Sequence, residues 1–218
     1  ASCDALPSIG LIPCGTGNDF ARGMGLYTGA SSALRTCLEE SEKPIDVGLI
    51  NGRAFVNVAG FGFDAKVAQE VTDRYQGKRG TLPYLVTALR VLAKYAPTRL
   101  QVTVDGEETG VPALLGAVGN ASTYGGGMKI CPRAVADDGL LDLCLVGDVT
   151  KFETVVNLAR VYFGAHLSHP KCTYLRASSI TVSSDDVVLV HADGQMIGAL
   201  PANFSILPKA VRLAAKNN

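Results

Sequence analysis

The stretch GNASTYGGGMKICPRAVADDGLLD, residues 119–142, connects two apolar runs, residues 113–119 and 140–146, that each read as a strand. Three consecutive glycines, residues 125–127, require unusual backbone angles or the close approach of another group. The turn Asp137-Asp138-Gly139 offers carboxylate and carbonyl oxygens, the ligands that Mg²⁺ and Ca²⁺ prefer. Asp and Gly are also common in ordinary type I or I′ turns, so the stretch predicts a loop between strands whose role is either functional or structural.

Strand-like segments surround this loop and dominate the second half of the chain. They are bounded by turns such as Asp105-Gly106 and Asp193-Gly194, which are typical of hairpins. Upstream, Asn51-Gly52 joins two more candidates and favours a type I′ turn, in which both residues adopt positive φ. The remaining strand candidates are residues 45–50, 54–59, 100–104, 174–182, 187–192 and 203–207. Runs of short strands favour an antiparallel sandwich or barrel.

Helical signals interrupt the strands in several places. Thr150 and Glu153 form a capping box ahead of an apolar stripe. Residues 18–40 and 64–74 carry helical patterns, and a short basic helix is predicted from about Lys209. After Thr81, apolar residues recur at helical spacing: Leu82, Leu85, Val86, Leu89 and Leu92. Near the start, residues 9–13 read as a buried strand that enters a loop. The predicted fold class is mixed α+β, an antiparallel β-sandwich with helices preceded by a small α/β portion.

Composition excludes several classes of protein. The 218 residues carry 20 Lys+Arg and 20 Asp+Glu, so the net charge is zero and a nucleic-acid-binding face is not expected. With 47% apolar residues the chain can bury a core, and no apolar run reaches the ~20 residues of a membrane span. The six cysteines are scattered without a CxxC pair and the three histidines are poorly spaced, so reduced cytosolic thiols are the simplest interpretation.

The segment PCGTGNDFAR, residues 13–22, follows an apolar strand and precedes a helix. Gly15 and Gly17 allow a ligand to approach the backbone, and amides at a helix start can hold phosphate oxygens. Thr16 and Asn18 offer neutral hydrogen bonds, and Asp19 could hold a metal or a hydroxyl. The segment is not a Walker A loop, because no Lys follows the second Gly. An ordinary strand–turn–helix link with an Asn or Asp cap is the alternative.

Two further segments place polar residues beside apolar strands. In NVAGFGFDA, residues 57–65, Asp64 follows a Gly-spaced strand and either enters a cleft or caps the next helix. In VHADGQ, residues 190–195, a hairpin turn is the simplest interpretation. Spacing alone favours the structural role in both segments.

Taken together and in this order, PCGTGNDFAR, GFGFDA, YGGGM and DGLLD closely resemble the diacylglycerol kinase-like lipid kinases. This family includes bacterial diacylglycerol kinases and YegS-type lipid kinases and is related to sphingosine and ceramide kinases. The resemblance spans nearly the whole chain. It implies ATP-dependent phosphorylation of a lipid hydroxyl, diacylglycerol first, between an NAD-kinase-like nucleotide domain and a C-terminal β-sandwich. The implied regions are the end of the nucleotide domain in residues 1–45, the β-rich domain in 46–205, and a C-terminal helix in 206–218 that returns to the first domain.

The resemblance also implies roles for individual residues toward ATP and Mg²⁺. Gly15, Thr16, Asn18 and Asp19 match the nucleotide loop, and Asp64 matches an acidic group beside the transferred phosphoryl and its Mg²⁺. Acidic metal ligands and glycine-rich backbone are the parts that phosphoryl transfer needs.

A second, structural Mg²⁺ site is implied at Asp138 with the backbone carbonyls of Val135 and Leu140. The expected partners are a lipid substrate, a membrane surface that the protein contacts peripherally from the cytoplasm, and a second copy in a homodimer. No nucleic acid is expected.

Two departures from the family pattern affect the expected activity. No Gly-Gly-Asp-Gly-Thr phosphate loop precedes residue 13, so we expect most of the nucleotide domain to be missing from this chain. The family's Asp-Gly-Glu, whose Glu is the general base, reads Asp193-Gly194-Gln195 here, and an amide cannot accept the hydroxyl proton. Loss of a general base costs about 10²–10⁴ in rate, so we expect the chain alone to be inactive.

Other readings of the same residues stay open. Asp64 is another candidate base, acting through a water. A non-catalytic lipid-binding module, a regulatory pseudokinase and a kinase of soluble substrates are the alternative functions.

Overall fold

The computed structural model describes residues 7–15, 17–26, 29–38, 41–75 and 81–215. The strands are β1 (Ser8–Ile9), β2 (Glu42–Ile50), β3 (Arg53–Phe55), β4 (Val58–Gly62), β5 (Thr98–Val104), β6 (Glu107–Ala113), β7 (Leu115–Gly119), β8 (Leu141–Val146), β9 (Cys172–Ala177), β10 (Ser179–Ser183), β11 (Leu189–Ala192), β12 (Gln195–Ala199) and β13 (Ala202–Ala214). The helices are α1 (Asp19–Gly23), α2 (Ala30–Leu38), α3 (Phe63–Tyr75), α4 (Thr81–Lys94) and α5 (Lys151–Val161), and a 3₁₀ turn spans Ala165–Ser168.

Two sheets contain these strands. The first has the order β3-β2-β13-β10-β5-β6, with β1 pairing the end of β13, and the second has the order β12-β11-β4-β7-β8-β9. Among the described pairs only β1 with β13 is parallel. The predicted antiparallel sandwich with helices is therefore confirmed.

Apolar side chains from both sheets meet between them. Phe61 of β4 lies beside Phe204 of β13, with ring centroids 6.3 Å apart, inside a cluster drawn from both sheets. Gly116 stands directly opposite Phe61 in the β4–β7 ladder and leaves the space that the ring occupies. Burial of one such ring stabilises the fold by about 1.5–3 kcal/mol, and this layer sets the register of the strands because a one-residue slip would turn the rings outward.

The second sheet also has an outer face, which helices and the 119–142 loop cover. α3 and α4 pack on it through a cluster that includes Phe63, Val67 and Val91. α5 packs beside them, with Val161 against Ile130 of the loop. Within the described ranges no helix is both long and apolar enough to cross a membrane.

The predicted C-terminal helix is wrong as far as residue 215. Residues 202–214 instead form β13, whose last residues pair with β2 on one side and with β1 on the other. The register with β2 shifts between Leu207 and Val211, and Lys209 within this bulge has a φ of 51°. The basic, alternating pattern of these residues is compatible with a helix or a strand. The strand forms because its backbone pairs with β1 on one side and with β2 on the other.

The predicted boundary between residues 45 and 46 falls inside β2, which begins at Glu42. β1 joins the same sheet by pairing Ser8 with Arg212. The strand predicted at residues 9–13 is limited to Ser8–Ile9 and is exposed rather than buried. The described residues before 46 are thus tied to the sandwich by strand pairing.

Most local predictions hold, with corrections. Asn51 and Gly52 have φ of 48° and 78°, which confirms the type I′ hairpin. The helical pattern of residues 18–40 is two helices, α1 and α2. In α4, Leu92 is buried but Leu89 is 46% exposed, and the side chains of Leu82 and Leu85 lie outside the described ones. The sequence patterns did not indicate β6 or β12.

Candidate active site

The predicted nucleotide loop closes on itself through Asn18. Its Oδ1 accepts the Gly15 amide at 2.8 Å and its Nδ2 donates to the Gly15 carbonyl at 2.7 Å. Asn18 takes a left-handed conformation, φ 52°, and its side chain makes no capping bond to α1. Thr16 lies outside the described residues. The amide side chain therefore shapes the loop instead of capping the helix.

Asp19 connects this loop to the glycine-rich turn at residues 124–128. Its two carboxylate oxygens accept the amides of Gly126 at 2.9 Å and Gly127 at 2.6 Å. Thr123 adds a hydrogen bond from its hydroxyl to the Asp19 carbonyl, at 2.8 Å. Gly127 has a φ of 104°, a conformation that other residues rarely adopt. The triple glycine thus lets the turn present two adjacent amides to one carboxylate.

Asp64 is buried, with only 3% of its surface exposed, and pairs with His191 on the outer face of the second sheet. The His191 Nε2 lies 3.2 Å from Asp64 Oδ2, and Asp64 Oδ1 accepts the Ala65 amide at 2.8 Å. The ring of Tyr124 stacks on His191 with centroids 6.4 Å apart and planes 7° from parallel. Burial, and then the Asp64 charge, raise the pKa of Tyr95, which lies on the same side.

Gly60 makes room for this pair. It stands opposite His191 in the β4–β11 ladder, and a Cβ at this position would overlap both the Asp64 carboxylate and the His191 ring. The glycine spacing of the segment GFGFDA is thereby explained by the close approach of two polar side chains to the strand.

An open, groove-like cavity lies between the second sheet, α3, α4, α5 and the 119–142 loop. Asp64 is the one carboxylate among its described lining residues, and most of the others are apolar. They are Phe63, Asp64, Ala88, Leu114, Leu115, Tyr124, Met128, Ile130, Val146, Val149, Thr154, Asn157, Leu158, Val161, His166, His169 and Cys172. The site is thus a largely apolar groove with the Asp64 carboxylate and the Tyr124 ring on its wall.

The turn that carries Gln195 lies at the start of β4. The Asp193 carboxylate accepts the amides of Val56 at 2.8 Å, Asn57 at 3.0 Å and Val58 at 3.2 Å. Burial raises the pKa of Asp193, and these amides oppose the increase. Gln195 itself is exposed at the first position of β12. No measured contact joins it to Asp64 within the described residues.

The same turn is connected to the nucleotide loop by hydrogen bonds. Asn57, whose amide binds Asp193, donates through its side chain to the Thr123 carbonyl at 2.9 Å, and Thr123 in turn binds Asp19. The structure therefore brings Asp19, the glycine turn and the Asp193 turn to one end of the sandwich.

The residues predicted to hold a structural Mg²⁺ make internal contacts. One Asp138 oxygen accepts the Leu140 amide at 3.0 Å, and the other pairs with the Arg176 guanidinium. The Val135 carbonyl accepts the Asp138 amide at 3.4 Å. Arg176 also lies 3.6 Å from the buried carboxylate of Asp142. Because a cation already neutralises Asp138, this arrangement fits Mg²⁺ poorly, and the site stays a prediction that requires Arg176 to move.

Asp46 is a buried carboxylate that the sequence analysis did not single out. Its oxygens accept the amides of Gly139 and Lys209, both at 2.7 Å. Asn120, also buried, donates to the Asp46 carbonyl at 3.0 Å. The sequence signal for Asp46 was a single Asp within the otherwise apolar strand of KPIDVGLI, which would have indicated a buried carboxylate with hydrogen-bond partners. These contacts fix the 119–142 loop and the β13 bulge against β2.

Comparison with known families agrees with this architecture. The family model described as the YegS C-terminal NAD kinase beta sandwich-like domain matches residues 57–215. The model described as the diacylglycerol kinase catalytic domain matches residues 1–50. The boundary between the two matches lies just after β2, five to eleven residues beyond the predicted one at 45/46.

Curated relatives are similar over almost the whole chain. A diacylglycerol kinase of Staphylococcus saprophyticus is 31% identical over 97% of this chain and 70% of its own length. One of Staphylococcus carnosus is 30% identical over 95% of this chain and 68% of its own length. The chain thus spans about two thirds of these proteins.

Solved structures share the fold. A diacylglycerol kinase structure from Bacillus anthracis str. Sterne superposes with a TM-score of 0.72 at 23% identity, covering 98% of this chain and 68% of that one. A second structure from the same organism gives a TM-score of 0.76 at 26% identity, covering 96% of this chain and 70% of that one. Since the sandwich model alone matches most of the chain, and relatives about 30% identical align with nearly all of it, the chain belongs to the diacylglycerol kinase and YegS family of lipid kinases.

Proposed function

We propose that this chain carries the lipid-acceptor site of a kinase that transfers the γ-phosphoryl group of ATP to a lipid hydroxyl, with diacylglycerol as the first candidate. The observation that carries the proposal is the position of the turn at residues 124–128. Asp19 of the nucleotide loop binds its Gly126 and Gly127 amides, while Tyr124 at its start lines the cavity and stacks on His191. A nucleotide beside Asp19 and an acceptor in the cavity would be neighbours across one short turn.

The shape and chemistry of the cavity favour a lipid over a soluble acceptor. Leu114, Leu158 and Val161 are among the apolar side chains that line it, and apolar walls stabilise an acyl chain by removing it from water. Asp64 is the carboxylate that a hydroxyl could approach. A kinase of soluble substrates would require more polar groups around its acceptor.

A nucleotide would lie beside the Asn18-closed loop, in which the Gly15 amide is bound to Asn18 and gives the loop its shape. ATP with Mg²⁺ would supply the phosphoryl group and neutralise its charge. The Asp19 oxygens are occupied by glycine amides, so we assign Asp19 to positioning the turn, with a metal contact as an additional role.

We expect slow turnover, because Gln195 stands where the family has its general base. A carboxamide does not accept a proton at neutral pH. Asp64, whose Oδ2 is hydrogen-bonded to His191, is the remaining carboxylate at the acceptor site and would take the hydroxyl proton less effectively.

The test is phosphorylation of diacylglycerol in mixed micelles by the purified chain and its Gln195→Glu variant. We expect turnover close to the blank in the purified chain, and a rise of about 10²-fold on Gln195→Glu when the chain is joined to a nucleotide domain that carries the Gly-Gly-Asp-Gly-Thr loop. Adding Leu158→Trp should fill the cavity and remove the gain, while the matched surface change Val187→Trp should leave it intact, since Val187 is 86% exposed.

Binding of a fluorescent diacylglycerol analogue to the same variants separates the alternatives. Binding that Leu158→Trp abolishes, together with no turnover in wild type or Gln195→Glu when joined to that domain, would replace the kinase with a non-catalytic lipid-binding module. Absence of both binding and turnover would overturn the assignment of the cavity.

A further inference from the structure

Three sulfur and nitrogen ligands converge beside the cavity although they are far apart in the sequence. Cys144 lies in β8, Cys172 begins β9, and His166 lies in the 3₁₀ turn just before β9. In the β8–β9 ladder Cys144 faces Tyr174 and Val146 faces Cys172, so the two cysteines are diagonal neighbours on the same face. The Cys144 Sγ lies 3.7 Å from Cys172 Sγ and 3.7 Å from His166 Nε2. All three ligand atoms lie within 4.8 Å of one another.

These separations match a shared tetrahedral ion. With Zn–S bonds of about 2.3 Å and Zn–N bonds of about 2.05 Å, tetrahedral angles place two sulfurs ~3.8 Å apart and a sulfur and a nitrogen ~3.6 Å apart. The two distances from Cys144 Sγ, both 3.7 Å, agree with these values, and the third separation, from Cys172 Sγ to the His166 ring nitrogen, lies within 4.8 Å. An ion could therefore enter with small movements of the three side chains.

The surroundings suit a soft cation. Cys144 is fully buried and His166 is 4% exposed, so these ligand atoms are screened from bulk water. The Nδ1 atom of His166 is buried without a hydrogen-bond partner, while Nε2 contacts the Ile130 carbonyl at 3.1 Å. For a metal to bind Nε2, the proton that this nitrogen donates to the Ile130 carbonyl would move to Nδ1, which gives the other neutral tautomer of the imidazole.

We propose that Cys144, His166 and Cys172 form a site for a thiophilic divalent ion of the Zn²⁺ class, distinct from the Mg²⁺ expected with ATP. Three protein ligands leave a fourth position. His166 and Cys172 both line the cavity, so this position faces the cavity, which is also the entry path. The fourth ligand is a water or a donor atom of the cavity's occupant, and ion binding and cavity occupancy are coupled.

The experiment uses the purified full chain, reduced and treated with a chelator, and Co²⁺ as the probe. A tetrahedral Co²⁺–thiolate centre gives strong visible bands and a near-ultraviolet sulfur-to-metal transition. We expect these bands to saturate at one Co²⁺ per chain and to disappear when Zn²⁺ is added. Cys144→Ser and Cys172→Ser should each weaken binding by at least ~100-fold, since even indirect partners of metal ligands are worth 10–100-fold.

Cys131→Ser is the matched control, because Cys131 is a buried thiol of the same apolar cluster but is not one of the three ligands. It should retain the bands. A second readout is alkylation of the folded, reduced protein: Zn²⁺ should protect Cys172, the one of the two thiols that lines the cavity, as identified by mass spectrometry. Bands that are absent in wild type, that persist in Cys144→Ser, or that vanish equally in a folded Cys131→Ser variant would overturn the site, as would equal alkylation with and without Zn²⁺.

Discussion

At the scale of single residues, the site depends on the absence of a side chain at position 60. Asp64 and His191 can lie against β4 only because position 60 is glycine. The carboxylate follows the strand by two residues, and its side chain turns back over the strand to reach the imidazole. In the motif GFGFDA, the first glycine therefore allows the Asp64 carboxylate and the His191 ring to approach the strand closely. The sequence shows this requirement only as a spacing of glycines.

We predict that Gly60→Ala separates this pair and lowers the free energy of unfolding by about 1–3 kcal/mol, the usual cost of forcing extra volume into a packed site. The measurement is the midpoint of urea unfolding. Gly29→Ala is the control, because a Cβ at Gly29 would meet no atom within 4 Å. Equal midpoints for the two variants would contradict the prediction, because they would show that the structure around Gly60 accommodates a methyl group without loss of stability.

At the scale of elements, α5 shows how local sequence and tertiary packing divide their roles. The capping box is complete: Thr150 Oγ1 accepts the Glu153 amide at 3.2 Å and Glu153 Oε2 accepts the Thr150 amide at 2.7 Å. The predicted apolar stripe, in contrast, is divided between two faces. Leu158 lines the cavity, while Val155 and Val156 are exposed. The sequence thus determined where the helix starts but not which side it buries.

The capping box predicts a pH dependence of stability. Hydrogen bonds from Thr150, first through its backbone, and then the charge of Lys171 lower the pKa of Glu153 from 4.5 to about 2. A carboxyl with a lowered pKa stabilises the fold above its unfolded value and loses that effect as the pH falls through the folded value. The advantage of wild type over Glu153→Gln should therefore be full above about pH 4.5 and vanish toward pH 2.

Thermal unfolding from pH 2 to 7 measures this difference. Gln at this position keeps the hydrogen-bond acceptor but cannot ionise, so it isolates the charge. Glu107→Gln, in the exposed β5–β6 hairpin, is the control and should show no comparable trend. A wild-type advantage that does not change with pH would mean that the carboxylate charge plays no part in the cap.

At the scale of the whole molecule, the second sheet, α3, α4, α5 and the 119–142 loop surround a cavity with an apolar rim. α5 forms one wall of the cavity through Leu158 and Val161. Its outer side carries Phe152, 78% exposed, and Phe163 follows at 83% exposed. With a net charge of zero, we expect attraction to a membrane to come from local charged patches or from such apolar contact, and these side chains favour the second. This rim is our proposed contact with the lipid surface.

We predict that Phe152→Ser together with Phe163→Ser weakens sedimentation with phosphatidylglycerol-containing vesicles at least tenfold, because each buried Phe contributes about 1.5–3 kcal/mol. The fold should be unchanged, since both side chains are on the surface. Val187→Ser removes an equally exposed apolar side chain from the β10–β11 turn and serves as the control. Equal loss of sedimentation in both proteins, or none in either, would place the membrane contact elsewhere.

Much of the architecture was readable from patterns of few residues. Asn51-Gly52 predicted a hairpin, Thr150 with Glu153 predicted a helix start, and alternating apolar runs predicted most strands, because each depends on contacts within a few residues. The strand predicted at residues 203–207 lies in β13, but the rest of β13 was misread as a helix because its pairing with β1 and β2 joins residues about 160 to 200 positions apart. Local propensity carries no information about such partners.

By itself, the sequence determined the sandwich class, the family and the segments that carry Asp19 and Asp64, because turn chemistry and motif spacing can be read directly along the chain. Only the tertiary structure decided that Asp19 binds the glycine turn, that His191 pairs with Asp64, and that two cysteines and a histidine meet beside the cavity. The physical reason is that these contacts arise from strand pairing across the sheets, where residues distant in the chain approach within hydrogen-bonding distance once the two apolar layers are packed.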